Sequence, residues 1–315
     1  MTELRVTLGP LALNNPVLVA AGTVGYGVEF ARAVRLERLG GLITKTLTRT
    51  PRAGHPPPRL VETPAGMLNA VGLQNIGLEA FLREKLPALR TARVPIIVSV
   101  LGESPEELAA MVELLDGAAG VAAIELNLSC PNLTRGEGEG ARVTGPCPPM
   151  MVAQDPEATR RMVAAARGRT RKPLIAKLSP DVTDLAPIAQ AAEHAGADAL
   201  SLVNTFVGMS IDPATRRSRL GTMTGGVSGP AIRPLAVYRV WYTAQIVRLP
   251  LIGIGGIVRA ADALEFLLAG ASAIAVGTAT FADPRAALRV LRGLERHMAR
   301  HRLASLEALR GAVNR

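Results

Sequence analysis

Lysine is the rare basic residue of this chain, and its positions are informative. Of the 36 lysines and arginines among 315 residues, four are lysines, at positions 45, 85, 172 and 177. Lys45 and Lys177 each end a short apolar run, in GLITK and PLIAK. An ammonium group is a compact charge that can stabilise an anion developing on a ligand. The two lysines therefore predict an anionic ligand or a cofactor that becomes anionic; the alternative is that both merely extend to solvent over apolar stems.

A cysteine follows another apolar run, in the segment Asn127-Leu128-Ser129-Cys130-Pro131-Asn132. A free cysteine is most often a small buried hydrophobe, but its polar neighbours and the glycine-rich stretch at 135–140 favour an exposed, lid-bearing position. The histidines are expected in a loop and on helices, away from strand ends: His55, His194, His297 and His301. A cysteine–histidine nucleophile pair is thus poorly supported, and Cys130 is better interpreted as a general base.

Two late apolar runs end in glycines, Gly253-Ile254-Gly255-Gly256 and Gly277-Thr278. Glycine lets backbone N–H groups approach a ligand closely, which suits a phosphate. The residue three after Gly255 is Val258, so the third glycine of a dinucleotide-binding fingerprint is missing.

Eight nearly continuous apolar runs alternate with segments of helical character. The runs are 17–22, 41–48, 95–102, 122–130, 173–180, 199–205, 249–257 and 273–281. Such runs are typical of parallel strands buried on both faces. They predict an α/β chain, a (β/α)8 TIM barrel with its site at the carboxyl ends of the strands. We expect one domain over 1–315, with insertions at 50–75 and 132–154 forming loops or a hairpin at that face. A doubly wound open sheet is the alternative.

Composition narrows the functional class. The net charge is +10, with 20% charged and 3% aromatic residues. The charge alone suggests that the protein binds nucleic acid, yet aromatic side chains that could stack on bases are scarce. Five arginines within residues 285–300 are spaced as on the exposed face of one helix. Two cysteines lack metal-ligand spacing, which points to a reducing compartment and no metal site. No apolar stretch reaches the length of a membrane span. We therefore expect a cytoplasmic enzyme that binds neither membrane nor nucleic acid.

Several segments, in this order along the chain, carry a resemblance to a known family. They are 66–75 (GMLNAVGLQN), 124–132 (IELNLSCPN), 176–180 (AKLSP), 203–205 (VNT), 224–230 (TGGVSGP), 255–256 (GG) and 276–278 (VGT). Together they resemble the class 1 dihydroorotate dehydrogenases, most closely the class 1B catalytic subunits, over essentially the whole length.

The resemblance implies an FMN-bearing barrel that oxidises dihydroorotate to orotate in pyrimidine synthesis. It implies that Cys130 takes the C5 proton while hydride from C6 passes to the flavin. The substrate-binding residues it implies are Lys45, Asn69, Ala70, Val71, Gly72, Leu73, Asn127, Asn132, Asn204 and Thr205. The FMN-binding residues it implies are Ala21, Lys45, Thr46, Ser99, Asn127, Lys177, Val203, Gly229, Gly255, Gly256, Gly277 and Thr278. Ser99 departs from the family's asparagine.

Electrons must leave the flavin, and this chain has neither an iron–sulfur cysteine motif nor a second flavin fingerprint. Class 1B relatives use a partner subunit with FAD and a [2Fe–2S] cluster that passes electrons to NAD⁺, in a heterotetramer. Class 1A relatives are homodimers that use fumarate. The resemblance favours class 1B, with a homodimeric core. The rival interpretations are a dihydropyrimidine dehydrogenase-like flavoenzyme and a non-enzymatic nucleic-acid-binding protein.

Overall fold

The eight apolar runs form eight parallel strands that close into a barrel. The computed structural model describes residues 3–30, 34–129 and 151–314. The strands are β1 (Val17–Val19), β2 (Gly41–Ile43), β3 (Ile96–Val100), β4 (Val121–Asn127), β5 (Leu174–Lys177), β6 (Ala199–Leu202), β7 (Leu251–Ile254) and β8 (Ala273–Val276). β8 pairs with β1, placing Ala275 opposite Leu18, so the ring is closed. The predicted TIM barrel is confirmed, and the open sheet is excluded.

The strands bury both faces because alternate side chains enter two different apolar layers. Leu18, Ile43, Ile97 and Ile175 belong to an interior cluster inside the ring. An N-terminal hairpin of Val6–Leu8 and Leu11–Leu13 adds Leu8, Leu11 and Leu13 to that cluster. The other strand face, including Ile124 and Leu126, packs with the helices in a larger outer cluster.

In the described part of the chain, six helices of nine or more residues surround the barrel. They are α1 (Pro105–Asp116), α2 (Pro156–Arg167), α3 (Ala186–His194), α4 (Arg233–Ala244), α5 (Ala260–Leu268) and α6 (Ala286–Arg300). Side chains cap two of these helices: the Ser104 hydroxyl accepts from the Glu107 N–H at the start of α1, and Asp155 accepts from the Glu157 N–H at the start of α2. Asp184 accepts from the Ala186 N–H at the start of α3, and Asp283 accepts from the Arg285 N–H just before α6.

Shorter helical turns complete the connections. They are Leu36–Arg38, Leu78–Ala80, Phe81–Lys85, Leu86–Leu89, Arg90–Ala92, Val152–Gln154, Pro230–Ile232, Ala279–Ala282 and Leu306–Ala308. Within the described part of the β1–β2 connection, only the turn Leu36–Arg38 is helical. Gly22, Gly25 and Gly27 all have positive φ there, a conformation that an α-helix cannot include. The prediction of a helix between β1 and β2 is therefore wrong for the described residues.

A small antiparallel sheet stands over the carboxyl ends of the barrel strands. Its order is Phe206–Gly208, Gly225–Ser228, Gly66–Asn69 and Leu60–Thr63. The last two strands are a hairpin within the predicted 50–75 insertion, and the first two follow β6. A two-stranded ladder of Ile211–Asp212 and Arg217–Ser218 lies between them in sequence.

The arginines predicted to share one exposed helix face are confirmed as exposed. Arg285 lies just before α6, and the other four lie on it: Arg289, Arg292, Arg296 and Arg300. The opposite face of α6 buries Val290, Leu291 and Leu294 in the outer cluster. Among the helices that the structure describes, none is both long and apolar enough to span a bilayer.

Asn75 anchors the insertion to the barrel. Its side chain is 6% exposed and makes four hydrogen bonds. The amide oxygen accepts from the Thr48 and Gly77 N–H groups at 3.2 and 2.9 Å. The amide nitrogen donates to the Thr48 hydroxyl and to the Leu73 carbonyl at 2.8 and 2.7 Å. One side chain therefore ties both ends of the 50–75 insertion.

We predict that Asn75→Ala lowers the free energy of unfolding by about 2 to 3 kcal/mol, because it leaves buried backbone groups without partners. Urea titration followed by circular dichroism measures the change. Gln74→Ala is the matched control, since that side chain is exposed and its amide oxygen accepts one hydrogen bond, from Arg59. Equal stability of the two variants would contradict the anchoring role.

Candidate active site

The carboxyl ends of the strands meet around one cleft, and both lysines singled out in the sequence lie in it. Lys45 and Lys177 come two residues after Ile43 and Ile175, which belong to the interior cluster. The lysines therefore continue inward-facing rows. Lys177 is only 6% exposed. The described residues lining the cleft carry these two ammonium groups and no carboxylate, so the cleft favours an anion.

Most residues expected to bind ligands line this one cleft. Those found there are Ala21, Lys45, Thr46, Asn69, Val71, Leu73, Asn127, Lys177, Val203, Asn204, Thr205, Gly229, Gly255, Gly256, Gly277 and Thr278. They come from the ends of several strands and from the sheet above them, which is the expected arrangement for a barrel enzyme.

Three expected residues do not line the cleft, and two lie outside the described residues. Ala70 packs in a small cluster with Leu68 and Leu220, and a Cβ at Gly72, which has a positive φ, would meet His55. Ser99 is fully buried below the cleft. Cys130 and Asn132 are outside the described residues.

A buried hydrogen-bond network fixes the amide of Asn127. Its nitrogen donates to the Thr46 hydroxyl at 3.1 Å, and that hydroxyl lies 3.0 Å from the Ser99 hydroxyl. The Ser99 N–H in turn donates to the Thr44 hydroxyl. Ser99 thus supports Thr46 from below instead of contacting a ligand directly. The Asn127 amide is held in one orientation before any ligand binds.

Asn204 is oriented in the same way at the end of β6. Its amide nitrogen donates to the Ser129 carbonyl and hydroxyl at 2.9 and 3.0 Å. Its amide oxygen accepts from the Thr205 N–H at 2.8 Å. These bonds join the segments after β4 and β6. Asn69, on the overlying hairpin, donates to the Gly226 carbonyl at 3.1 Å.

Glycines form the cleft wall after β7 and β8. Gly256 has a φ of +68°, and a Cβ there would lie 2.8 Å from the Gly229 carbonyl oxygen. A side chain could not fit at this point, so the backbone stays accessible to a ligand. The neighbouring Thr278 hydroxyl donates to the Ser228 hydroxyl at 2.8 Å. Backbone N–H groups and hydroxyls of this kind suit a phosphate.

Asp262 braces this glycine wall from behind. Its carboxylate is almost fully buried, accepts from the Val258 and Arg259 N–H groups at 2.9 Å each, and forms an ion pair with Arg233. The Cβ atom of Arg233 lies directly beside Gly256. The carboxylate therefore connects the start of α5 to the start of α4 around the glycines.

Asp181 positions the overlying sheet from outside the cleft. Its carboxylate accepts from the Val207 N–H at 3.1 Å, in the strand Phe206–Gly208. Burial raises the pKa of the Asp181 carboxyl, and the Val207 hydrogen bond and the Arg239 charge partly oppose that rise.

Other lining residues were not expected from the sequence. They are Ala20, Gly22, Thr23, Leu60, Met67, Ser228, Ile232, Ile254 and Phe281. Met67 stands two residues before Asn69 on one strand, so its period-two spacing could have identified it. Phe281 is exposed on the turn after β8, where no sequence pattern marks it. Among the described residues, no group of three His, Cys, Asp or Glu side chains could hold a metal ion.

Comparison with known proteins places this fold and cleft in a family. A family model described as "Dihydroorotate dehydrogenase" matches residues 3–298. A protein of Pelobacter propionicus is 50% identical over 311 residues, covering 99% of this chain and 98% of its own. One of Geobacter sp. (strain M21) is 48% identical with the same coverage of each chain. One of Desulforudis audaxviator is 50% identical over 310 residues, covering 98% of this chain and 97% of its own.

Each of these three relatives is named "Dihydroorotate dehydrogenase B (NAD(+)), catalytic subunit". The match spans all eight barrel strands and every described residue that lines the cleft. This chain belongs to the dihydroorotate dehydrogenase family.

Proposed function

We propose that this chain catalyses the FMN-dependent oxidation of (S)-dihydroorotate to orotate in pyrimidine biosynthesis. The observation that carries the proposal is the cleft itself. It combines two lysines, three oriented amides and a glycine wall, without a carboxylate among its described lining residues. Family membership and the names of the relatives support the same reaction.

The described residues fit FMN in two ways. The glycine wall, with Gly229, Gly255, Gly256, Gly277 and Thr278, offers backbone and hydroxyl donors to the phosphate. Lys177, at the end of β5, is opposite Asn127 in the strand register and places a buried ammonium group inside the cleft. When bound, FMN supplies a hydride acceptor. Ala21, Lys45 and Val203 complete the proposed FMN contacts, and Ser99 contributes through Thr46.

The substrate carries a carboxylate and a ring with amide edges. Lys45 would offset the negative charge, while Asn69, Asn127 and Asn204 would pair with the ring and the carboxylate. These amides are held by the contacts described above, so they need no reorganisation when the substrate binds. The remaining proposed substrate contacts are Val71, Leu73, Thr205, Asn132 and the backbone of Ala70 and Gly72.

We assign the removal of the C5 proton to Cys130. Ser129, its neighbour, lies within the Asn204 and Asn127 hydrogen bonds, so the segment leading to Cys130 is attached to the cleft. A cysteine thiolate is a stronger base at neutral pH than a serine hydroxyl, since the usual pKa of a thiol is near 8.5.

Electrons then leave through a partner. The relatives' names contain "NAD(+)" and "catalytic subunit", which supports a separate electron-transfer subunit. We propose that this subunit carries FAD and a [2Fe–2S] cluster, passes electrons to NAD⁺ and binds a homodimer of this chain. Two cysteines without disulfide or metal-ligand spacing support a cytoplasmic location.

The purified chain should be yellow and should reduce an artificial electron acceptor with dihydroorotate. Dihydrouracil should support little turnover, because it lacks the carboxylate that Lys45 would bind. Steady-state assays of both compounds measure the preference. Turnover with dihydrouracil alone would instead indicate a dihydropyrimidine dehydrogenase-like enzyme, and a colourless preparation would contradict the flavin assignment.

Cys130→Ser should slow flavin reduction by dihydroorotate at pH 7 by about a hundredfold or more, because the base is weakened. FMN should stay bound, and the rate should recover as the pH rises. Anaerobic stopped-flow absorbance measures the rate. Cys147→Ser is the control and should behave as the unmodified chain; an undiminished rate in Cys130→Ser would remove the residue from this role.

Asp262→Asn should weaken FMN binding by about tenfold, which corresponds to about 1.4 kcal/mol. The loss of charge releases Arg233 and loosens the wall around Gly256. Fluorescence titration of the flavin-free chain measures the affinity. Glu265→Gln is the matched control, because Glu265 contacts Arg233 from a half-exposed position. Equal affinities of both variants would contradict the bracing role of Asp262.

A further inference from the structure

One carboxyl group is bonded to an edge strand of the sheet that stands over the cleft. Among the described residues, the strand Phe206–Gly208 pairs with a single neighbour, Gly225–Ser228. An edge strand carries backbone N–H groups that no neighbouring strand bonds. The Val207 N–H of this strand lies 3.1 and 3.3 Å from the two carboxyl oxygens of Asp181, which accept from it. Asp181 therefore attaches the edge of the sheet to the loop that follows β5.

The loop that carries Asp181 is itself held in place by side chains from two other elements. Arg239, on α4, donates to the carbonyls of Pro180 and Val182 at 3.2 and 2.6 Å. Gln154, just before α2, donates to the Asp181 carbonyl at 2.8 Å. Backbone groups on both sides of the Asp181 side chain are thus fixed relative to the outer helices. The carboxyl group is therefore a fixed point from which the sheet can be held.

Val207 belongs to a row of the sheet that ends at a residue of the cleft. The strand register places Val207 opposite Gly226, and Gly226 opposite Asn69. The Asn69 amide nitrogen donates to the Gly226 carbonyl at 3.1 Å. Thr205, two residues before Val207, packs so closely on Gly226 that a Cβ there would collide with its hydroxyl. Since Asn69 and Thr205 both line the cleft, the contact at Val207 holds two cleft residues through one row of the sheet.

We propose that Asp181 sets the affinity for dihydroorotate by holding Asn69 and Thr205 in place over the cleft. This inference rests on the proposed function. Side chains that are already held need less ordering when a ligand binds, so the ligand binds more tightly. The glycine wall at the proposed FMN phosphate is braced separately, by Asp262 and Arg233. Asp181 is thus a positioning residue that acts on the substrate through the sheet, and FMN binding does not depend on it.

Asp181→Ala in the FMN-loaded chain tests the proposal. The KM for dihydroorotate should rise on the order of tenfold, the scale expected when a hydrogen bond to a carboxyl group is lost. The Kd for orotate, measured by titration of the flavin absorbance, should rise by a similar factor. The kcat at saturating dihydroorotate and the FMN content per chain should change by less than about twofold. A residue that only supported the fold would lower kcat and flavin content as well.

Two variants serve as controls. Asp181→Asn keeps an oxygen that can accept from the Val207 N–H, so its KM and Kd should stay within about threefold of the unmodified chain. Asp184→Ala removes an exposed carboxylate of the same loop that accepts from the Ala186 N–H and the Tyr242 hydroxyl, away from the sheet. Its affinities should be unchanged. The proposal would be overturned by unchanged affinities in Asp181→Ala, by a parallel loss of kcat or FMN, or by an equal rise in KM in either control.

Asp181→Leu, which removes both oxygens at similar volume, replaces Asp181→Ala if the latter is not recovered as a folded flavoprotein. If neither variant folds, Asp181 serves the fold as a whole and the proposal is wrong. An unmodified chain that binds no FMN or does not oxidise dihydroorotate would overturn both the proposed function and this inference. A flavoprotein that oxidises dihydroorotate with a KM independent of Asp181 would overturn this inference alone.

Discussion

The closure of eight parallel strands into one ring is the constraint from which the site follows. In a closed barrel every second residue of each strand must point into a volume with no access to bulk water. Leucine, isoleucine and alanine fill that volume from the N-terminal hairpin upward. At the carboxyl ends the same inward rows continue with Lys45, Asn127 and Lys177. The rows that build the core therefore also aim the functional side chains at one point.

Placing polar groups at the end of an apolar core requires that their hydrogen bonds be made within the protein. Thr46, Ser99 and Asn127 satisfy one another, and Asn204 is satisfied by Ser129 and Thr205. These groups are consequently rigid and oriented. Glu125 differs, because neither of its carboxyl oxygens has a hydrogen-bond partner among the described residues.

Much of this arrangement could be predicted from the sequence, because parallel strands buried on both faces leave an unmistakable apolar pattern. The rarity of lysine identified two cleft residues without any structural information. The prediction of a helix between β1 and β2 was wrong for the described residues, because glycines at positive φ occupy that part of the chain. Ala70 and Gly72 were expected to bind the substrate but do not line the cleft, because Ala70 packs with Leu68 and Leu220 and Gly72 turns toward His55. The position of Ser99 below Thr46 depends on strand register, which apolar runs do not specify.

Five of the arginines that contribute to the net charge of +10 lie exposed on α6 and at the residue just before it. We propose that the rows ending in lysine and asparagine face one FMN, with the glycine wall at its phosphate. A crystal structure of the chain with FMN and orotate tests this most directly. We predict the phosphate within hydrogen-bonding distance of the Gly256 and Thr278 backbone, and the flavin ring beside Lys177. A phosphate bound elsewhere, or a flavin ring distant from Lys177, would contradict the account.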